Sequence, residues 1–160
     1  MSDLDYLFKN PITVEKNASL SHIIAELLKN NISRLVVTDE KSSVGIITEK
    51  DIGLFLLTEE TEKNLDEIQV SEIMNTLTSV KDSENVESCV ETMLEKRIGS
   101  LGVLKNNELV GIITKTDIAQ HYSKNYSENH RVGDVMTISY VSMNSNSTLR
   151  EVVSKMISEK

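Results

Sequence analysis

At 160 residues, 39% of them apolar, and with a net charge of −8, the chain can bury one core or two small fused ones and is not a disordered polyanion. It has no cluster of Lys and Arg of the kind nucleic-acid binding requires, and no apolar run approaches the roughly 18 residues of a membrane span. The start Met1-Ser2-Asp3-Leu4-Asp5 lacks the basic and apolar parts of a signal peptide, and the single Cys89 has no partner for a disulfide or a zinc site, so a cytoplasmic location is expected.

In chain order the first extended piece is Ile12-Thr13-Val14. Leu20, Ile23, Ile24, Leu27, Leu28 and Ile32 follow at steps of three and four, the stripe of an amphipathic helix. Leu35-Val36-Val37, the polar turn Asp39 to Ser43 and Val44 to Ile47 predict a hairpin, and a second helix begins near Asp51. Glu59, Glu60, Glu62, Asp66 and Glu67 around Lys63 have the composition of a solvated connection. The order then recurs. Thr78-Ser79-Val80 is extended; Val86, Cys89, Val90, Met93, Leu94 and Ile98 form a second helical stripe, which places Cys89 in a core; Leu101 to Leu104, Asn106-Asn107 and Leu109 to Ile113 form a second hairpin. A third start follows: Val132-Gly133-Asp134-Val135-Met136 echoes Val70-Ser71-Glu72-Ile73-Met74, with Met74 and Met136 read as packing residues. Leu149, Val152, Val153, Met156 and Ile157 repeat the stripe behind a Thr148/Glu151 capping box. This third unit is expected to have its first strand and helix but neither hairpin nor second helix, so the chain reads as the front of a longer protein with at least three units; the alternative is a complete protein whose tail packs on a neighbouring chain.

The recurrence is a duplication. Val44-Gly45-Ile46-Ile47-Thr48-Glu49-Lys50-Asp51-Ile52 returns 66 residues later as Val110-Gly111-Ile112-Ile113-Thr114-Lys115-Thr116-Asp117-Ile118. A strand, crossover helix and returning strand build a small sheet with helices on one face, and two such units can bury their remaining apolar surfaces against each other. The threonine and aspartate three apart at a helix start admit two readings. They make a capping pair that stabilises by about 1 kcal/mol without any ligand. Alternatively, an aspartate there can accept from vicinal ribose hydroxyls while the helix N-terminus favours phosphate, but the residues alone favour the cap. His22, His121 and His130 lie in separate segments without a common carboxylate, and no nucleophile has an adjacent base, so an enzyme is not expected.

The unit order together with Gly-x-x-Thr-x-x-Asp resembles the CBS domain, the small regulatory module named after cystathionine β-synthase, which works in tandem pairs. The resemblance covers residues 11–57 and 74–123 and the start at 132–160. It implies an α/β (α+β) fold of two β-α-β-β-α units packed pseudo-symmetrically as a CBS pair. The boundaries are 1–60 for the first unit, 61–73 for a linker, 74–125 for the second and 132–160 for the unfinished third. It further implies a regulatory ligand-sensing module that binds AMP, ADP, ATP, S-adenosylmethionine or NAD in two clefts and requires no cofactor for catalysis. By resemblance Asp51 and Asp117 take the ribose, Thr48 and Thr114 a phosphate or ribose oxygen, and backbone near Thr13 and Ser79 the adenine edge. Ile12, Val14, Ile47 and Ile113 are the expected apolar walls. Arg34 is expected to meet a phosphate where its counterpart Ser100 brings no charge, with Arg97 three residues earlier, so the Arg34 site should prefer more phosphate. The family frequently has proline where Val36 and Gly102 stand, and Gly102 is expected to widen the second cleft or weaken its strand. The alternative is an unliganded structural module that holds subunits together, and a homodimer is expected in either case. The regulated partner is not encoded.

Overall fold

The computed structural model describes residues 4, 6–40, 42–59, 61–125 and 131–159. Lys41 of the first predicted turn, Glu60 of the acidic connection, His130, and Met1, Ser2, Asp3 and Asp5 of the chain start lie outside the described residues, as does Lys160. The first unit comprises β1 (Thr13–Glu15), α1 (Leu20–Asn30), β2 (Arg34–Asp39), β3 (Ser42–Thr48) and α2 (Glu49–Thr58). Its copy comprises β4 (Ser79–Lys81), α3 (Val86–Glu95), β5 (Ser100–Lys105), β6 (Glu108–Thr114) and α4 (Lys115–Asn125). In each, the first strand runs parallel to the second and the second antiparallel to the third, with Val36 opposite Ile46 and Gly102 opposite Ile112. Even the irregularity is duplicated: the hairpin registers slip at Val37/Thr38 and at Val103/Leu104. Asn106 and Asn107 turn the second hairpin at φ 51° and 65°, the left-handed pair that matches the twist of a two-residue hairpin and that asparagine tolerates.

The helices bury one edge of each predicted stripe and leave the other open: Leu28 and its equivalent Leu94 are 74% and 65% exposed, since they lie on the side of α1 and α3 turned away from the sheets. Ser19 accepts from the His22 N–H to start α1, and Asn85 accepts from Ser88 to start α3. Leu20, Ile23 and Leu27 are buried in the first unit, and the equivalent Val86, Cys89 and Met93 in the second. Each such side chain contributes on the order of 1.5–3 kcal/mol through removal from water. Cys89 is a core residue, and burial followed by the nearby Glu84 pushes its thiol up to about 11.

Neither core is closed by its own unit alone. Ile68 and Val70, from the stretch expected to be a linker, are fully buried in the first core, while the acidic residues around them face solvent. The N-terminal Leu4 and Leu7 fill the equivalent place in the second core. The chain entering each unit therefore packs first on the other one. Asn75 exchanges both backbone hydrogen bonds with Ile46 at 2.8 and 2.9 Å, and Lys9 does the same with Ile112 at 3.0 and 2.9 Å. Glycine permits this approach. A Cβ on Gly45 would lie 2.9 Å from the Asn75 carbonyl oxygen, and one on Gly111 would lie 2.2 Å from the Phe8 ring. The two sheets meet along β3 and β6, giving the pseudo-symmetric pair.

The third start forms α5 (Val132–Val135) and α6 (Leu149–Ser158), the latter behind the expected Thr148/Glu151 capping box. Its expected first strand does not form: residues 136–148 contain none. The physical reason is pairing, since β1 and β4 exist only as parallel partners of β2 and β5. Met74 packs on the first core, but Met136 is 56% exposed, so only the former has the expected packing role. Among the described residues no helix is long and apolar enough to cross a membrane.

Candidate ligand clefts

Two clefts lie where the units meet, each built from both. The first, roughly 640 Å³, has Ile12, Arg34 and Val36 of the first unit on one side and Ile112, Thr114 and Asp117 of the second on the other. The second, roughly 410 Å³, sets Ile46, Thr48 and Asp51 against Thr78, Arg97 and Ser100. The threonine and aspartate of one unit thus face the strand of the other.

At both helix starts the capping pair is present. Thr48 N–H and Oγ1–H donate to Asp51 Oδ2 at 2.9 and 2.6 Å, and Asp51 N–H donates back to Thr48 Oγ1 at 3.3 Å. Thr114 and Asp117 repeat this at 2.9, 2.5 and 3.3 Å. The cap uses one carboxylate oxygen and leaves the other directed elsewhere. For Asp117 that oxygen, Oδ1, lies 2.6 Å from Lys9 Nζ, and the carboxylate is only 6% exposed. Burial pushes the Asp117 carboxyl up, but Lys9 and the two Thr114 hydrogen bonds outweigh it and hold it below the ordinary carboxylate range. Asp51 has no cation paired with it among the described residues.

Arg34 borders both clefts, so it does not single out one of them. Its guanidinium donates to Ser33 Oγ at 3.2 Å and extends past Gly99, where a Cβ would stand 3.3 Å from it. Burial draws its pKa down while Asp117, Asp51 and Glu49 oppose that; a guanidinium remains charged throughout. Arg97 reaches the second cleft from a left-handed backbone at φ 53°, and its equivalent Asn31, at φ 50°, lines the first.

Several expected wall residues stand elsewhere. Val14, Ile47 and Ile113 point into the unit cores, at 6%, 0% and 0% exposure. Ile46 and Ile112, one residue earlier and hence on the opposite strand face, supply the apolar surface instead. Ile12 lines the first cleft as expected, whereas Thr13 and Ser79 lie one residue past the lining segments that end at Ile12 and Thr78. Gly102 neither opens the second cleft nor breaks β5. Its missing side chain is replaced by Ser79, Leu77 and Leu109, which would stand 2.8 to 3.0 Å from a Cβ there. Lys9 lines the first cleft and carries no motif of its own. Its signal in the sequence was the 66-residue offset, which sets Leu4 to Lys9 against Val70 to Asn75.

The family model for the CBS domain matches residues 2–56 and 70–124, and the chain belongs to the CBS domain family. MJ1225 of Methanocaldococcus jannaschii is 30% identical over 139 residues, 84% of this chain and 48% of that protein. Three further relatives are matched over 30%, 39% and 40% of their length, so the chain spans about half or less of these proteins. The crystal structure of MJ1225 superposes at a TM-score of 0.83 and 24% identity over 94% of this chain and 60% of that one, a likeness of fold. The CBS domain pair of MJ0100, solved with 5′-methylthioadenosine and S-adenosyl-L-methionine, superposes at 0.67 with 29% identity, covering 78% of this chain and 97% of that one. PAE2072 of Pyrobaculum aerophilum, solved with AMP, superposes at 0.65 with 25% identity, covering 78% and 99%.

Proposed function

We propose that this chain is a regulatory ligand-sensing CBS pair that binds adenosine-containing ligands in its two inter-unit clefts and is not itself an enzyme. The observation that carries the reading is the construction of each cleft from both units. A ligand bridging the Thr48/Asp51 helix start and the Ser100 strand, or the Thr114/Asp117 start and the Arg34 strand, biases how the units sit together, as differential affinity for two arrangements requires. The complexes of MJ0100 with S-adenosyl-L-methionine and of PAE2072 with AMP support this ligand class. The cations Arg34, Lys50 and Arg97 suit a phosphate, and the apolar Ile46 and Ile112 suit a base.

Thermal unfolding against AMP, ADP, ATP, S-adenosylmethionine and NAD tests the reading, with Asp51→Ala and Asp117→Ala alongside. A ligand at a hundredfold its Kd stabilises by about 2.7 kcal/mol. Loss of that rise in one or both variants supports the reading; no rise with any ligand reduces the pairs to helix caps. The alternative, an unliganded module that holds subunits together in a homodimer, has one feature in its favour. Val86, Val90, Leu94, Ile118 and Ala119 line an open apolar groove between α3 and α4. Under that reading Asp51→Ala and Asp117→Ala leave association untouched, and Leu94→Glu abolishes it.

A further inference from the structure

The two clefts carry the same threonine and aspartate but do not offer the same oxygen. Recognition of a ribose diol needs carboxylate oxygens free to accept, and the cap already engages Oδ2 of each aspartate. The Asp117 Oδ1 is held at 2.6 Å by the Lys9 ammonium. The position equivalent to Lys9 is Asn75, which makes the same backbone bridge, to Ile46, but carries no charge. Asp51 is therefore open where Asp117 is engaged.

The Lys9 backbone is fixed at this place, although its side chain is 68% exposed. Its backbone N–H and carbonyl are both bonded to Ile112, and Leu4 and Leu7 anchor the segment in the second core. An amine tethered at such a site competes at high effective concentration with anything that arrives from solution. In the other cleft Lys50 and Arg97 border Asp51, and among the described residues neither forms an ion pair with its carboxylate, while Arg34 borders both clefts.

We propose that Lys9 ranks the two clefts: its ammonium holds the Asp117 oxygen that a ribose diol would use, so the Asp51 cleft fills first. The Asp117 cleft then fills only at ligand concentrations that displace the Lys9 side chain. This rests on the adenosine-ligand reading above and adds an order of occupancy, set by a residue outside the threonine–aspartate motif.

Isothermal titration of the full chain with AMP tests it, on wild type, Lys9→Met, Asp51→Ala and the Lys9→Met/Asp51→Ala double variant, each checked by its melting curve. Lys9→Met keeps the aliphatic stem and the backbone bridge while removing the charge. Wild type is expected to show two affinities separated by about tenfold, the worth of one charge-assisted contact of roughly 1.4 kcal/mol. Asp51→Ala removes the tighter step. Lys9→Met leaves the tighter step alone and strengthens the weaker by about tenfold, and the double variant retains that strengthened step. An unchanged weaker step in Lys9→Met overturns the ranking alone, and a lost one overturns it by making Lys9 a ligand contact. If neither AMP, S-adenosylmethionine nor 5′-methylthioadenosine binds wild type or Lys9→Met, the adenosine reading falls and the ranking with it.

Discussion

The Asp51 and Asp117 clefts are built on one backbone plan and diverge in charge. The units agree where the main chain is constrained: Gly45 and Gly111 under a crossing segment, Thr48 and Thr114 at a helix start, Asp51 and Asp117 closing the cap. They differ where side chains face the cleft: Arg34 against Ser100, Asn31 against Arg97, Lys50 against Thr116, and Lys9 against Asn75. The main-chain plan is thus shared between the halves, while the charge that lines each cleft is not. A repeated motif by itself says little about which cleft works harder.

The equivalence of the two units fails most visibly if their cores are unequal. Leu35→Ala and Leu101→Ala empty equivalent sites that are 1% and 0% exposed, and each is expected to cost about 2–5 kcal/mol in urea unfolding. Because Ile68 and Val70 tie the units together, both variants should unfold in a single transition. Two separated transitions would show that the units are independent.

Next in size are the glycines beneath the crossing segments. Gly45→Ala meets the Asn75 carbonyl oxygen at 2.9 Å, which is main chain, while Gly111→Ala meets only the Phe8 side chain, at 2.2 to 2.9 Å. Overpacking costs about 1–3 kcal/mol, and both variants are expected in that range, because the Phe8 Cβ at 2.9 Å is not moved by turning the ring and the bridged Asn75 carbonyl is fixed as well. Urea denaturation of the two variants checks that neither is neutral. Thr48→Ala and Thr114→Ala come after these, each removing a cap worth about 0.5–2 kcal/mol by thermal melt, with similar losses since the cap geometries agree.

The smallest effect separates the clefts by pH. A carboxyl held low in the folded state contributes stability above its unfolded pKa, and loses it as pH falls through the lowered value. Asp117 is held low partly by Lys9, so Lys9→Met should raise its titration. The acid side of the stability profile should then soften at a higher pH than in wild type. Carboxyl carbon shifts followed by NMR from pH 6 downward would check this; an unmoved Asp117 would mean that the Thr114 hydrogen bonds alone set its pKa.

Helices α1 and α3 and both hairpins were legible because apolar steps of three and four and Asn106-Asn107 are strong local signals. The cleft faces were less so. Ile46-Ile47 and Ile112-Ile113 are apolar on both sides of the strand, since one residue faces its own core and the other the neighbouring unit. Alternation therefore could not say which lines the cleft. The buried role of Ile68 and Val70 was hidden among acidic neighbours, whose solvated character is real but belongs to the opposite side of the same segment. Gly102 illustrates a different gap: a missing side chain reads as space, and only the fold shows Leu77 and Leu109 filling it.

The crossed entry segments also constrain synthesis. Residue 9 finds its partner only at residue 112, and residue 46 only at residue 75. A nascent first unit emerging from the ribosome therefore lacks the covering for its own β3 until 75 has appeared. Its Leu4 and residues 6–9 stay without a seat until the second hairpin is made. Such long-range closure slows folding and prolongs exposure of Leu4, Leu7 and Phe8. A chain truncated after residue 66 should therefore be captured by chaperones far more than one extending through residue 125.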